Sequence, residues 1–198
     1  MNKNRTNEPN VWQTVANATN DWVTPANVID VAAFGLAMKA GGNLTETSGI
    51  AQAAVAFGAD IIDGKVARAT GTATSKGEAI DAAGDKIKLG YYLLKIWQEG
   101  LAPKPLLAAV ALQNTANVAI TAYDRKTNPM PLVHPTKDGK RGIFMQQAGI
   151  GLHVIGSRVA KSKPETGWLI KTSGTALTAL GILRGLKATR EYWHLARS

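Results

Sequence analysis

Four aspartates at fixed spacing constrain this chain more than any other feature. They lie in the run DIIDGKVARATGTATSKGEAIDAAGD, from Asp60 to Asp85. On a helix of about 3.6 residues per turn, Asp60, Asp63, Gly64 and Ala67 share one face. Gly77, Asp81 and Asp85 follow one another at intervals of four, so they line one face of a second helix. The small polar residues 69–76 between them predict a turn that makes the two helices antiparallel neighbours. Four carboxylates then converge at one end of a helical hairpin. Held together without a partner, they repel one another strongly at low dielectric. A cation must sit among them, and oxygen-only donors select hard divalent ions, Mg²⁺ or Mn²⁺. Two ions bridged by shared carboxylates suit phosphoryl displacement. Gly64, Ala67 and Gly77 leave room beside the acids for a bulky ligand, and Arg68 at the helix end can reach a phosphate.

The rest of the chain reads as helices. Apolar periodicity, with Gly and Pro as punctuation, predicts six of them: residues 26–41, 48–68, 77–98, 105–123, 142–160 and 167–191. A Pro-rich basic loop is expected over 124–141. The Asn/Thr-rich residues 1–24 form a short surface helix or fray. No period-two β-branched run is present, so the fold class is all-α.

Whether these helices cross a membrane is contested by the sequence itself. Mean hydropathy is −0.08, which reads as soluble. Only 105–123 lacks formal charge and approaches a span of about 20 apolar residues. Three features favour a membrane bundle nonetheless. Helix faces are rich in Ala, Gly, Ser and Thr, which permit close approach in lipid. Trp22, Trp97, Trp168 and Trp193 fall at expected helix ends, as in an interfacial belt. Basic residues also alternate: Lys3, Arg5, Arg68, Lys76, Arg125, Lys126, Lys137, Lys140, Arg141, Lys187, Arg190 and Arg197 fall on the richer side of a six-span arrangement, against Lys39, Lys104, Arg158, Lys161 and Lys163. The richer side is expected to be cytoplasmic, with both termini inside. A soluble Ala-rich bundle shares these features.

Composition removes other classes. With no cysteine among 198 residues, disulfide scaffolds, Cys-zinc sites and thiol catalysis are excluded. A net charge of +9 implies an anionic partner, and a charged fraction of 19% argues against a disordered basic tail. The polar start, Met1 to Asn20, has no apolar core of a signal peptide. His134, His153 and His194 have no ligand spacing among them and read as ordinary polar residues.

The acidic run resembles the signature of the CDP-alcohol phosphotransferase (CDP-alcohol phosphatidyltransferase) family, D-x₂-D-G-x₂-A-R-x₈-G-x₃-D-x₃-D. Asp60, Asp63, Gly64, Ala67, Arg68, Gly77, Asp81 and Asp85 match it without departure. Such a match arises by chance on the order of 10⁻⁹ to 10⁻¹⁰ times per starting position. Another family run, near the start of the fifth helix, matches only at Gly139, Lys140 and Gln146, with Gly142 and Ile143 where Lys and Thr are usual.

The resemblance implies an integral membrane bundle of six transmembrane helices over 25–198, preceded by a juxtamembrane segment 1–24, with the signature on the cytoplasmic side. It implies transfer of a phosphatidyl group from a CDP-linked lipid, CDP-diacylglycerol foremost, to an acceptor alcohol in phospholipid biosynthesis, with release of CMP. Two Mg²⁺ or Mn²⁺ ions are expected on Asp60, Asp63, Asp81 and Asp85, with Asp85 also the catalytic base. Gly64, Ala67, Arg68 and Gly77 are expected to hold the CDP end. A phosphorylated acceptor, glycerol phosphate or inositol phosphate, needs a basic pocket, for which Arg125, Lys140, Arg141 and Arg184 are the candidates. The implied partners are these substrates, membrane lipids and a second copy in a homodimer. Nucleic acid is not expected, because four carboxylates repel a polyanion. Two rival readings are a soluble Mg-dependent prenyl-diphosphate enzyme, which lacks its D-D-x-x-D run here, and a non-enzymatic basic helical binding protein.

Overall fold

A computed structural model describes residues 9–127 and 136–197, with the side chains of Asp60, Ile61, Ser75, Glu78, Ala79 and Ala82 outside that description. The described residues are all-α and hold seven helices: α1 (Val11–Ala18), α2 (Pro25–Gly41), α3 (Thr47–Thr70), α4 (Ser75–Gln98), α5 (Lys104–Thr127), α6 (Lys137–Ala160) and α7 (Pro164–Leu195). The last six correspond to those expected from periodicity, and a short helix, Val11–Ala18, lies within the amino-terminal segment. They group into two compact units, Met1–Tyr92 and Leu93–Ser198.

In the first unit, side-chain caps fix the starts of α1 and α2. Asn10 and Gln13 form a reciprocal capping box on α1. Thr24 caps α2, with Pro25 at its first position. α3 ends at Gly71, whose φ of 66° is the left-handed conformation glycine tolerates. α2 and α3 are joined by residues 42–46 and pack through Ala33, Ala37, Ala40 and Ala56, all buried. The amino-terminal segment is tied down at the α3–α4 turn. Asn10 Nδ2 donates to Thr70 O at 3.0 Å, and Lys76 Nζ donates to Asn20 O at 2.8 Å while lying 4.4 Å from the Trp22 ring centroid.

The second unit is built on glycine. Gly142, Gly149 and Gly156 of α6 and Gly167, Gly174 and Gly181 of α7 each recur every seven residues. All six are closely approached by the facing helix. A Cβ on Gly142 would lie 2.9 Å from Gly185 N, one on Gly149 2.6 Å from Gly174 O, and one on Gly156 2.9 Å from Gly167 O. The two backbones therefore touch along their length, as small-residue seams permit. Beside the seam runs a buried polar ladder. Asn114 Nδ2 donates to Gln146 Oε1 at 2.9 Å, Gln146 Nε2 donates to Gln113 Oε1 at 2.5 Å, and Thr189 Oγ1 donates to Asn117 Oδ1 at 2.6 Å. His153 is buried with Nε2 3.1 Å from Thr175 Oγ1, a structural role.

Helix occupies both described ends of the expected loop 124–141. α5 continues to Thr127, because Arg125 and Lys126 suit the negative end of a helix dipole. α6 begins at Lys137, because Thr136 Oγ1 accepts from Gly139 N at 3.1 Å and Asp138 occupies the first turn. His134 lies outside the described residues.

The interior combines Leu, Ile and Val with many small and polar residues. Ala, Gly, Thr, Asn and Gln fill much of the interior, while Val31, Val55, Ile62, Leu112, Phe144, Leu169 and Leu183 stand exposed. Among the described residues, one helix, α5, is long and apolar enough by its own hydropathy to cross a membrane.

Candidate metal centre

The acidic site lies wholly within the first unit. On α3, Asp63 is 4% exposed, and its Oδ1 accepts from the Gly64 N–H. One turn on come Ala67 and Arg68. Past Gly71 the chain folds back, with Thr72 N donating to Ala67 O at 2.9 Å and Gly77 N to Thr74 Oγ1 at 3.2 Å. That turn brings the start of α4 beside the end of α3, so Asp81 faces Asp63. From α2, Thr24, Asn27 and Asp30, three apart in sequence, present one face to the same place. Asn27 is buried and firmly held: its Nδ2 donates to Asp21 O at 3.1 Å and to Trp22 O at 3.2 Å.

These elements form a half-open cleft of about 80 Å³ lined by residues that include Thr24, Asn27, Asp30, Asp63, Gly64, Ala67, Arg68, Thr72, Gly77 and Asp81. Six of the residues expected from the signature thus line one cavity. One carboxylate oxygen from each of Asp30, Asp63 and Asp81 lies within 4.8 Å of the others. At an effective dielectric of about 20, each ionised pair at that distance repels by roughly 3 kcal/mol. Asp30 Oδ1, Asp63 Oδ2 and Asp81 Oδ1 are buried and accept no hydrogen bond from the described residues. Convergent, buried, unpartnered carboxylate oxygens are the donor set of a hard divalent cation, so the residues present fit Mg²⁺ or Mn²⁺.

The two glycines here differ from those of α6 and α7. A Cβ on Gly64 would meet nothing nearer than Arg68 Nη1 at 3.5 Å, and one on Gly77 nothing nearer than Thr74 Oγ1 at 3.4 Å. Their missing side chains leave space in the cleft rather than allowing helices to touch.

Not every expected residue joins the cleft. The side chain of Asp60 lies outside the described residues. Asp85, one turn beyond Asp81, is not among the three mutually close acids; its Oδ1 pairs with Nζ of the buried Lys88 at 3.0 Å. Arg125, Lys140, Arg141 and Arg184 belong to the second unit. The first three are exposed, and Arg184 pairs with Asp138 Oδ1 at 3.0 Å, beside Lys187 on Asp138 Oδ2 at 2.6 Å. Asp30 is the residue that the spacing argument misses. The available signal was a lone acid in α2, PANVIDVAAFGLAMKAG, an otherwise largely apolar helix.

No curated protein and no solved structure matches the chain. A family model, CDP-alcohol phosphatidyltransferase, does match over residues 17–183, which takes in the cleft, the full acidic signature and most of the α6–α7 seam. This chain belongs to the CDP-alcohol phosphatidyltransferase family, whose members transfer a phosphatidyl group from a CDP-alcohol to an acceptor.

Proposed function

We propose that this chain transfers the phosphatidyl group of CDP-diacylglycerol to a phosphorylated acceptor alcohol, glycerol phosphate or inositol phosphate, and releases CMP. The observation that carries the reading is the facing pair Asp63 and Asp81, each with a buried oxygen lacking a hydrogen-bond partner, in a cleft that also holds Gly64, Ala67, Arg68 and Gly77. Two divalent ions, Mg²⁺ or Mn²⁺, held by Asp60, Asp63, Asp81 and Asp85, would supply the positive charge that offsets the donor diphosphate. Gly64, Ala67 and Gly77 leave room for the nucleotide, and the exposed Arg68 guanidinium at the end of α3 binds phosphate oxygen. The acceptor hydroxyl attacks the phosphorus nearer the lipid, CMP leaves, and the hydroxyl proton passes to Asp85. Lys88 orients that carboxylate.

Arg125, Lys140, Arg141 and Arg184 serve the acceptor phosphate in this reading, with Arg184 released from Asp138 or sharing it. The catalytic domain is 25–198, and 1–24 is a juxtamembrane segment. A membrane setting with six spans is supported by the exposed Val, Leu and Ile side chains and by the tryptophans at helix ends. Lys76, Lys104 and Arg197 lie over the rings of Trp22, Trp97 and Trp193 at 4.4, 5.6 and 4.9 Å, an arrangement suited to headgroup depth. Lys65, Arg68 and Lys76 gather near the α3–α4 turn, which favours a cytoplasmic cleft. A homodimer belongs to the same reading.

A panel of acceptors incubated with the purified chain, CDP-diacylglycerol and Mg²⁺, with CMP followed, tests it. Acceptor-dependent CMP release with one phosphorylated alcohol is expected. Release with none of the panel, or with unphosphorylated alcohols alone, overturns the assignment.

A further inference from the structure

We propose that Asp30, on a helix outside the signature, is itself a ligand of the divalent cation and ties α2 to the α3–α4 hairpin when the ion binds. The inference rests on the reading of the cleft as a metal centre. Its geometry is direct: one Asp30 oxygen lies within 4.8 Å of ligand oxygens on both Asp63 and Asp81. Asp30 Oδ1 is buried and accepts no hydrogen bond from the described residues. A second observation points to a ligand independently of the clustering. Asp63 is 4% exposed, lines the same cleft and carries an unpartnered Oδ2. A carboxylate in that condition needs a cation or a proton.

The position of Asp30 is also fixed in advance. Thr24 Oγ1 accepts from Asn27 N at 3.1 Å, and Asn27 holds the preceding backbone through its own amide, so the first turn of α2 cannot rotate away from the cleft. Asp30 follows on the same face, one turn along. The buried Lys88 of α4 pairs with Asp85 at 3.0 Å and also faces Asp30 and Asp81, a single positive charge set among several acids. An acid on a largely apolar helix, brought against two others, costs stability unless something binds it. With an ion in place, three helices rather than two share the load, and α2 becomes part of the centre.

Mn²⁺ binding to the full chain in detergent, followed by electron paramagnetic resonance, tests this together with thermal unfolding in metal-free buffer. Asp30→Asn and Asp63→Asn are each expected to weaken Mn²⁺ binding by roughly tenfold or more. Without metal, Asp30→Asn is expected to melt no lower than the parent chain, because one of three mutually repelling charges is gone. Asp30→Ala is expected to repeat the pattern. Parent-like Mn²⁺ binding by both Asp30 variants, with Asp63→Asn impaired, overturns the inference and leaves the metal reading intact. Melting of both Asp30 variants well below the parent without metal also overturns it, by making Asp30 a folding residue. Parent-like binding by Asp63→Asn overturns the metal reading and the inference together.

Discussion

Glycine does opposite work in the α6–α7 seam and in the cleft. Between α6 and α7 it brings backbones into contact: a Cβ on Gly149 would lie 2.6 Å from Gly174 O and 2.7 Å from Thr178 N. In the cleft it keeps space open: a Cβ on Gly64 finds its nearest neighbour at 3.5 Å. Polar groups divide in the same way. In the Gln113–Gln146–Asn114 ladder amide groups pair with one another, Asn114 Oδ1 alone being left over, whereas Asp30, Asp63 and Asp81 each turn an unpartnered buried oxygen toward the same place. In the ladder an amide donor and acceptor meet; in the cleft three acceptors converge with no donor among them, and only a cation or protons can satisfy them.

The largest effect expected from breaking that contrast is on catalysis. Asp81→Asn should reduce Mg²⁺-dependent CMP release by more than about 100-fold, since even groups that only orient metal ligands cost 10–100-fold. Its melting temperature without metal should not fall. A melting drop with retained turnover would place Asp81 in the structural half.

Next comes the seam. Gly149→Val forces a branched side chain into Gly174 and Thr178, and should destabilise by about 3 kcal/mol or more, read as a lower unfolding midpoint in detergent. An unchanged midpoint would mean that the helices separate easily and that the seam is not the scaffold. Gln146→Leu strips the ladder of its centre, leaving Gln113 Oε1 buried without its donor and Asn114 Nδ2 with Val110 O alone, at a cost of about 2 kcal/mol.

Gly64→Ala inverts the pattern. A helical Gly→Ala change with ordinary contacts gains up to about 1 kcal/mol. The added methyl occupies the cleft, so CMP release should fall while the unfolding midpoint holds or rises. Loss of both together would show that the cleft glycine serves packing after all.

Much of this contrast can be read in the sequence, because it is local. Asp63, Gly64, Ala67, Arg68, Gly77 and Asp81 are separated by helical spacings and one short turn, so one cleft follows from periodicity. The helix start at Pro25 and the α3 stop at Gly71 follow from capping chemistry, whereas the last helix begins at Pro164, three residues before the expected 167. Asp30 does not, because it meets Asp63 across a helix pair, and no spacing rule links them. The end of α5 is misread for a different reason. Asp124, Arg125 and Lys126 look like the start of a loop, yet a helix carboxyl terminus favours basic residues. The seven-residue glycine repeats are visible in the sequence, but not which helix each faces.

The smallest effect belongs to the surface. Hydrogen bonding to Lys187, aided by Arg184, holds the Asp138 carboxyl below the ordinary carboxylate range. Its modest contribution is therefore present above that range and is lost as pH falls through the lowered value. Asp138→Asn should remove that acid-side dependence and leave the unfolding midpoint at neutral pH nearly unchanged.

The most direct test of the acid-lined cleft is CMP release from CDP-diacylglycerol by the purified chain, with acceptor present, before and after chelation of divalent ions. Release should stop on chelation and return when Mg²⁺ or Mn²⁺ is restored, in the parent chain but not in Asp81→Asn. Release that continues through chelation, or that Asp81→Asn sustains, would contradict a pooled-carboxylate metal centre.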